Sequence, residues 1–167
     1  MESGTGLEQD NFQLTGLRVN KMLTLESYWM GRDKKFPGDF TAAIKRNGRF
    51  TVDQINKLLG AYEDDTTITL EQWASGWRPP GVNDVTSNAA AHSRHITAQA
   101  GDVADSNRKF AQWCISSIDV LVNIGLWMED PRWTPTWVHL QVVPPKSGNR
   151  VYIPSTKPPL ASALTPL

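Results

Sequence analysis

Ser93-Arg-His95-Ile-Thr-Ala98-Gln-Ala100-Gly-Asp102, taken with Trp137-Val-His139-Leu-Gln141, decides how this chain must fold. Residues 98–105 alternate loosely between small apolar and polar side chains, as a short buried strand does. Residues 137–143 alternate more cleanly: Val138, Leu140 and Val142 share one face, and Trp137, His139 and Gln141 share the other. His95 and Asp102 stand an odd number of positions apart, so one continuous strand cannot point both the same way. A turn at Ile96-Thr97-Ala98 is therefore required between them. Neighbouring strands lie about 4.8 Å apart, close enough for their side chains to share a ligand. The face carrying Trp137, His139 and Gln141 then becomes the floor of a cleft, with two imidazoles and a carboxylate within reach of each other. That donor set suits one zinc ion, which at catalytic sites takes three protein ligands and keeps a fourth position open. The same donors also accept other divalent ions. Only three histidines are present, and the third, His92, falls in an Ala-rich loop where it is expected to face solvent.

Outward from these stretches the elements are simple. Residues 51–62 read as a helix capped by Thr51, with Val52, Ile55, Leu58, Leu59 and Tyr62 as its apolar stripe. Residues 66–77 suit a strand that runs into a loop at Pro79-Pro80-Gly81. Residues 107–124 form the strongest predicted helix, with Phe110, Trp113, Cys114, Ile118, Leu121 and Val122 mostly on one face. Asp105 is placed to cap it. A last strand is predicted near Val151-Tyr-Ile. The predicted fold is α+β: a small antiparallel sheet, helices packed on one side of it, and an open zinc cleft. Three parts follow: a loosely structured extension over 1–26, a domain over 27–154, and a flexible Pro-rich tail over 155–167.

At 167 residues the chain suits one domain with a sizeable core. The formal net charge is zero and no Lys/Arg run occurs, which argues against nucleic acid and anionic membranes as partners. Cys114 is the single cysteine, so no disulfide framework is possible and it reads as a small core hydrophobe. No apolar run reaches signal-peptide or membrane-spanning length. Of seven tryptophans, Trp77, Trp127, Trp133 and Trp137 lie near the ligand stretches in sequence, as cleft walls or as core.

Ser93-x-His95-x-x-Ala98-x-Ala100-x-Asp102 resembles the SxHxxGxAxD signature of the D-Ala-D-Ala carboxypeptidase type of zinc peptidase. This type belongs to the LAS metallopeptidases, together with lysostaphin-like enzymes and the hedgehog domain. Ser75-Gly76-Trp77-Arg78 resembles the SGYR segment of the family, and Gly125-Leu-Trp127-Met-Glu129 followed by Trp137-Val-His139 resembles the region of its last ligand. Tyr28-Trp-Met-Gly-Arg-Asp33 and residues 143–154 are similar to segments of phage-encoded relatives.

The resemblance implies His95, Asp102 and His139 as zinc ligands, Arg78 as the group that steadies an oxyanion, and Ser93 and Trp137 as substrate contacts. It also implies a peptidoglycan stem peptide as substrate, with a D-Ala-D-Ala, cross-link or L-Ala-D-Glu bond as the one cut. The protein would be made in a host cytoplasm and released to the periplasm or wall as a phage endolysin, or carried in a virion beside other virion proteins. One departure stands out. The positions three and two before His139, where the family often carries an acid or a histidine, are Thr136 and Trp137, neither of which is a base near neutral pH. Glu129, brought back by a turn through residues 131–135, is the expected base; the other reading of it is a solvated loop carboxylate. Without a base, the expectation becomes a virion structural protein, or a wall-binding module, that retains the peptidase fold.

Overall fold

The structure, a computed structural model, describes residues 23–87 and 89–154. The tail expected at 155–167 and residues 1–22 of the expected extension lie outside them. The order along the chain is α1 (Leu25–Trp29), α2 (Arg32–Lys35), α3 (Ala42–Thr66), β1 (Trp73–Ser75), α4 (Pro80–Asn83), β2 (Ala100–Ala104), α5 (Lys109–Ser116), α6 (Ile118–Ile124), β3 (Trp127–Glu129), β4 (Trp137–Gln141) and β5 (Val151–Tyr152). The class is α+β.

The long helix α3 starts about two and a half turns before the predicted one. Thr41 is its N-cap, accepting from the Ile44 amide at 3.3 Å. Thr51, predicted as the cap, is instead inside the helix, and its hydroxyl donates to the Ala98 carbonyl at 2.9 Å. The predicted stripe of Val52, Ile55, Leu58, Leu59 and Tyr62 is buried as expected. The first turns were not legible because they are mostly exposed and carry little apolar periodicity. At its other end α3 runs on through Thr66 and stops where Thr67 turns left-handed, so the predicted strand at 66–77 shrinks to Trp73–Ser75. The predicted helix at 107–124 is two, broken at Ser117, where φ is −110° and ψ 42°. Ser116 turns its hydroxyl back on the Gln112 carbonyl there, the local competition that weakens helix interiors. Asp105 does cap this region, its carboxylate accepting from the Phe110 and Ala111 amides.

The sheet order is β1-β2-β4-β3-β5, and it is mixed rather than antiparallel. β1, β2, β4 and β3 pair antiparallel, but β5 pairs parallel with β3. The cause is placement. Both sides of β4 are already taken by β2 and β3, so the chain returning after β4 docks on the free edge of β3, where its direction matches.

One face of the sheet builds the core: Val103, Val138, Leu140 and Met128 are buried there with α3, α5 and α6 side chains. Strand alternation sends the intervening residues to the opposite face, and that face carries the site. Residue 23 is tied to α3 by Asn56, whose side chain accepts from the Leu23 amide at 3.1 Å and donates to its carbonyl at 2.8 Å. Replacing Asn56 by alanine removes both buried bonds. It is expected to lower stability by roughly 1–3 kcal/mol, read from the urea midpoint at unchanged m-value.

Candidate metal centre

Two strands and one turn build the site. Asp102 on β2 and His139 on β4 are direct cross-strand partners, so their side chains rise side by side from one face. His95 arrives from the turn before β2. Ser93 and His95 carbonyls accept from the Ile96 and Ala98 amides, and Ala98 takes a left-handed φ of 55°. The turn required at Ile96-Thr97-Ala98 is therefore present, and it drops the imidazole onto the face that Asp102 occupies.

Three donor atoms converge. His139 Nδ1 is 2.7 Å from Asp102 Oδ1, and His95 Nε2 is 3.2 Å from both. Tetrahedral donors around a metal at bond lengths near 2.0–2.1 Å sit roughly 3.3 Å apart, so these separations fit one ion. The outer contacts also fit. His95 is fully buried, and its Nδ1 lies 2.7 Å from the Gly76 carbonyl. That carbonyl can only accept, so the proton sits on Nδ1 and the Nε2 lone pair faces inward. His95, Asp102 and His139 thus form a group that could hold a metal ion.

The charges in the group are coupled. Burial would raise the Asp102 pKa, but its coupling to the His95 and His139 imidazoles outweighs this and holds the carboxyl well below its usual range. Burial pushes the His95 pKa down, only partly offset by Asp102. Burial works the same way on His139, but the bond and charge of Asp102, with the charge of Glu129, reverse the balance and raise it. Titration with a divalent transition ion is expected to saturate at one ion per chain and to raise the unfolding temperature, and a chelator to reverse both. A metal needs neutral imidazole, so protons compete for His139. Affinity should fall as the pH is lowered through the raised His139 pKa.

The remaining predicted residues gather around this group. Arg78 follows β1, and its amide donates to the His95 carbonyl at 3.1 Å. Its Nη2 reaches the Ser93 hydroxyl at 3.4 Å, and the same hydroxyl oxygen accepts from the His95 amide at 3.3 Å. Arg78 Nε is buried and has no hydrogen-bond partner among the described residues. Burial lowers the Arg78 pKa, opposed by the charge of Asp102; a guanidinium stays charged regardless.

Glu129 ends β3. β3 and β4 pair as Trp127↔Gln141 and Met128↔Leu140, and that register continued by one residue sets Glu129 across from His139. Trp137 is half-buried opposite Ala104, two positions from His139. His92 is exposed. Trp77 is no cleft wall: it is fully buried in a ring cluster with Trp29 and Phe40.

Tyr152, predicted only as part of the last strand, was given no role in the site. It pairs with Glu129 across β3 and β5, and its hydroxyl donates to Gln141 Oε1 at 2.8 Å. Asp102, His139, Glu129 and Tyr152 therefore form one row across four strands. No protein-family model, curated protein or solved structure matches the chain. Among the described residues, no helix is long and apolar enough to cross a membrane.

Proposed function

We propose that this protein is a zinc-dependent peptidase of the bacterial cell wall that hydrolyses a stem-peptide bond of peptidoglycan, of the D-Ala-D-Ala carboxypeptidase or L-Ala-D-Glu endopeptidase type. A phage endolysin or virion-associated lysin is the setting that the LAS resemblance implies. The carrying observation is the convergence of His95 Nε2, Asp102 Oδ1 and His139 Nδ1, at the three positions where the LAS resemblance puts ligands. Zinc, when bound, supplies Lewis acidity, polarising a carbonyl and making water more acidic.

The chain's own residues supply the rest. Glu129, beside His139 in the sheet row, is placed to take a proton from water and hand it to the leaving amine. On this reading the base comes from a neighbouring strand rather than from the strand of the last ligand, where Thr136 and Trp137 stand. Arg78 carries a permanent charge and a buried Nε donor, so an oxygen that becomes negative beside it completes its hydrogen bonding. Ser93 holds that guanidinium against the His95 turn, and Trp137 offers a half-buried ring to the substrate chain.

The deciding experiment is incubation of the zinc-loaded protein with purified peptidoglycan, followed by mass spectrometry of the soluble fragments. Release of fragments supports the reading, and their masses name the bond. No release, with one zinc bound per chain, overturns the enzyme in favour of a scaffold that retains the fold. Glu129→Gln is expected to keep its zinc and lose roughly 10²–10⁴-fold in cleavage rate. Loss of zinc together with cleavage would remove Glu129 from the role of base.

A further inference from the structure

His95 has an outer partner, the Gly76 carbonyl, that sets its ring; His139 has Gln141 two positions further along its own strand. His139 and Gln141 project from the same face of β4, and Gln141 is buried. His139 Nδ1 is turned to Asp102 and His95, so Nε2 is the ring nitrogen on the far side from them. The buried Gln141 amide therefore stands beside the His139 ring on that face.

The amide of Gln141 has its two ends assigned. Its Nε2 donates to the Val143 carbonyl, and its Oε1 accepts from the Tyr152 hydroxyl at 2.8 Å. With the nitrogen end tied to a carbonyl, the oxygen end is the one available to an imidazole N–H. Tyr152 remains a phenol throughout the neutral range, because burial and the charges of Glu129 and Asp102 push its pKa up. Its hydroxyl therefore always has a proton to donate. Tyr152 sits on β5, the strand that docks parallel on β3, so the last strand of the described chain closes on the site from the Glu129 side.

Resting on the metal reading above, we infer that Gln141 and Tyr152 are positioning residues: Tyr152 fixes the Gln141 amide, and Gln141 fixes the His139 ring with Nδ1 toward the metal. Neither touches the ion. A metal-bound imidazole is held in one tautomer by such outer acceptors, and losing one typically costs 10–100-fold in metal affinity. The competing account is mechanical, with the Tyr152 hydroxyl merely pinning a two-residue edge strand across the sheet. The two accounts differ in what they predict at the metal.

The test uses the full chain loaded with Co²⁺, whose visible spectrum reports ligand geometry, with affinity measured by competition against a chromophoric chelator. Gln141→Leu is expected to bind Co²⁺ roughly 10–100-fold more weakly with an altered spectrum, and Tyr152→Phe roughly 3–10-fold more weakly. Gln141→Glu, which keeps an acceptor oxygen, is expected to restore binding to the wild-type level or better. Because Tyr152 acts through Gln141, Tyr152→Phe should add nothing in the Gln141→Leu background. Wild-type affinity and spectrum in both single variants overturn the inference, and so does an undiminished Tyr152→Phe effect in the Gln141→Leu background. If Gln141→Leu does not fold, the spectrum and affinity of Tyr152→Phe alone decide. If the wild type binds no Co²⁺, the metal reading itself falls, an outcome distinct from a metal that binds indifferently to these two side chains.

Discussion

His139→Ala is expected to reduce wall cleavage to background and to weaken metal binding far beyond the 10–100-fold that outer partners cost. One of only three protein donors is removed, and the survivors, His95 and Asp102, cannot by themselves define a tetrahedral site. The change also strips Asp102 of its shortest contact, the 2.7 Å bond from His139 Nδ1. A buried carboxylate deprived of a partner costs roughly 1–3 kcal/mol, so the metal-free variant should be somewhat less stable than the metal-free wild type. It should still fold. His139 lies on the site face of β4, and the core contacts of that strand are made by Val138 and Leu140 on the other face. Metal content and fragment release measured side by side, with the exposed His92→Ala as control, check this. Cleavage by His139→Ala at the wild-type rate would end the zinc peptidase reading, and equal losses in His92→Ala would point to general damage from removing any histidine.

What was legible in the sequence was whatever depends on short-range alternation. The strand at 137–141 declared both of its faces, and the odd spacing of His95 and Asp102 required the turn that the structure shows, with Ala98 in the left-handed region. The apolar stripe of α3 and the capping role of Asp105 were visible for the same local reason. What was not legible depends on pairing at a distance. Trp127-Met-Glu129 is too short to announce itself as a strand, yet it is the strip that puts Glu129 beside His139. Nothing in residues 143–154 says that the last strand must go to β3 rather than to β4. That choice is made by which edges are already occupied, and it is also what brings Tyr152 to the site. Thr51 misled because a threonine before an apolar stripe looks like a cap, whereas its hydroxyl serves a carbonyl 47 positions away. For Trp77, near the site in sequence, both a cleft wall and core packing were open, and its ring belongs to the core.

Gly76→Ala is expected to be the most damaging substitution of a single hydrogen by a methyl group in the described chain, with losses in both stability and metal binding. A Cβ at Gly76 would stand 1.9 Å from the Tyr28 carbonyl oxygen and 2.8 Å from its carbon. These are backbone atoms, so no rotamer change can relieve the clash, and the chain just after β1 must separate from α1. That separation also threatens the hydrogen bond from the Trp77 amide to the same Tyr28 oxygen, 3.2 Å long. Tyr28 is itself anchored, its buried hydroxyl donating to the Ala100 carbonyl at 2.7 Å, so it cannot simply retreat. Overpacking of this kind costs about 1–3 kcal/mol where side chains can adjust, and backbone against backbone should reach the upper end of that range or pass it. The carbonyl of Gly76 is the acceptor for His95 Nδ1. Any displacement therefore tilts the first imidazole, adding a loss of roughly 10–100-fold in metal affinity. Gly60→Ala is the matched control. A Cβ there meets nothing within 4 Å in the middle of α3, so it should stabilise by roughly 0.5–1 kcal/mol and leave metal binding alone. Equal unfolding midpoints for Gly76→Ala and Gly60→Ala would contradict the close approach of Gly76 to α1, and with it the account of how His95 is held.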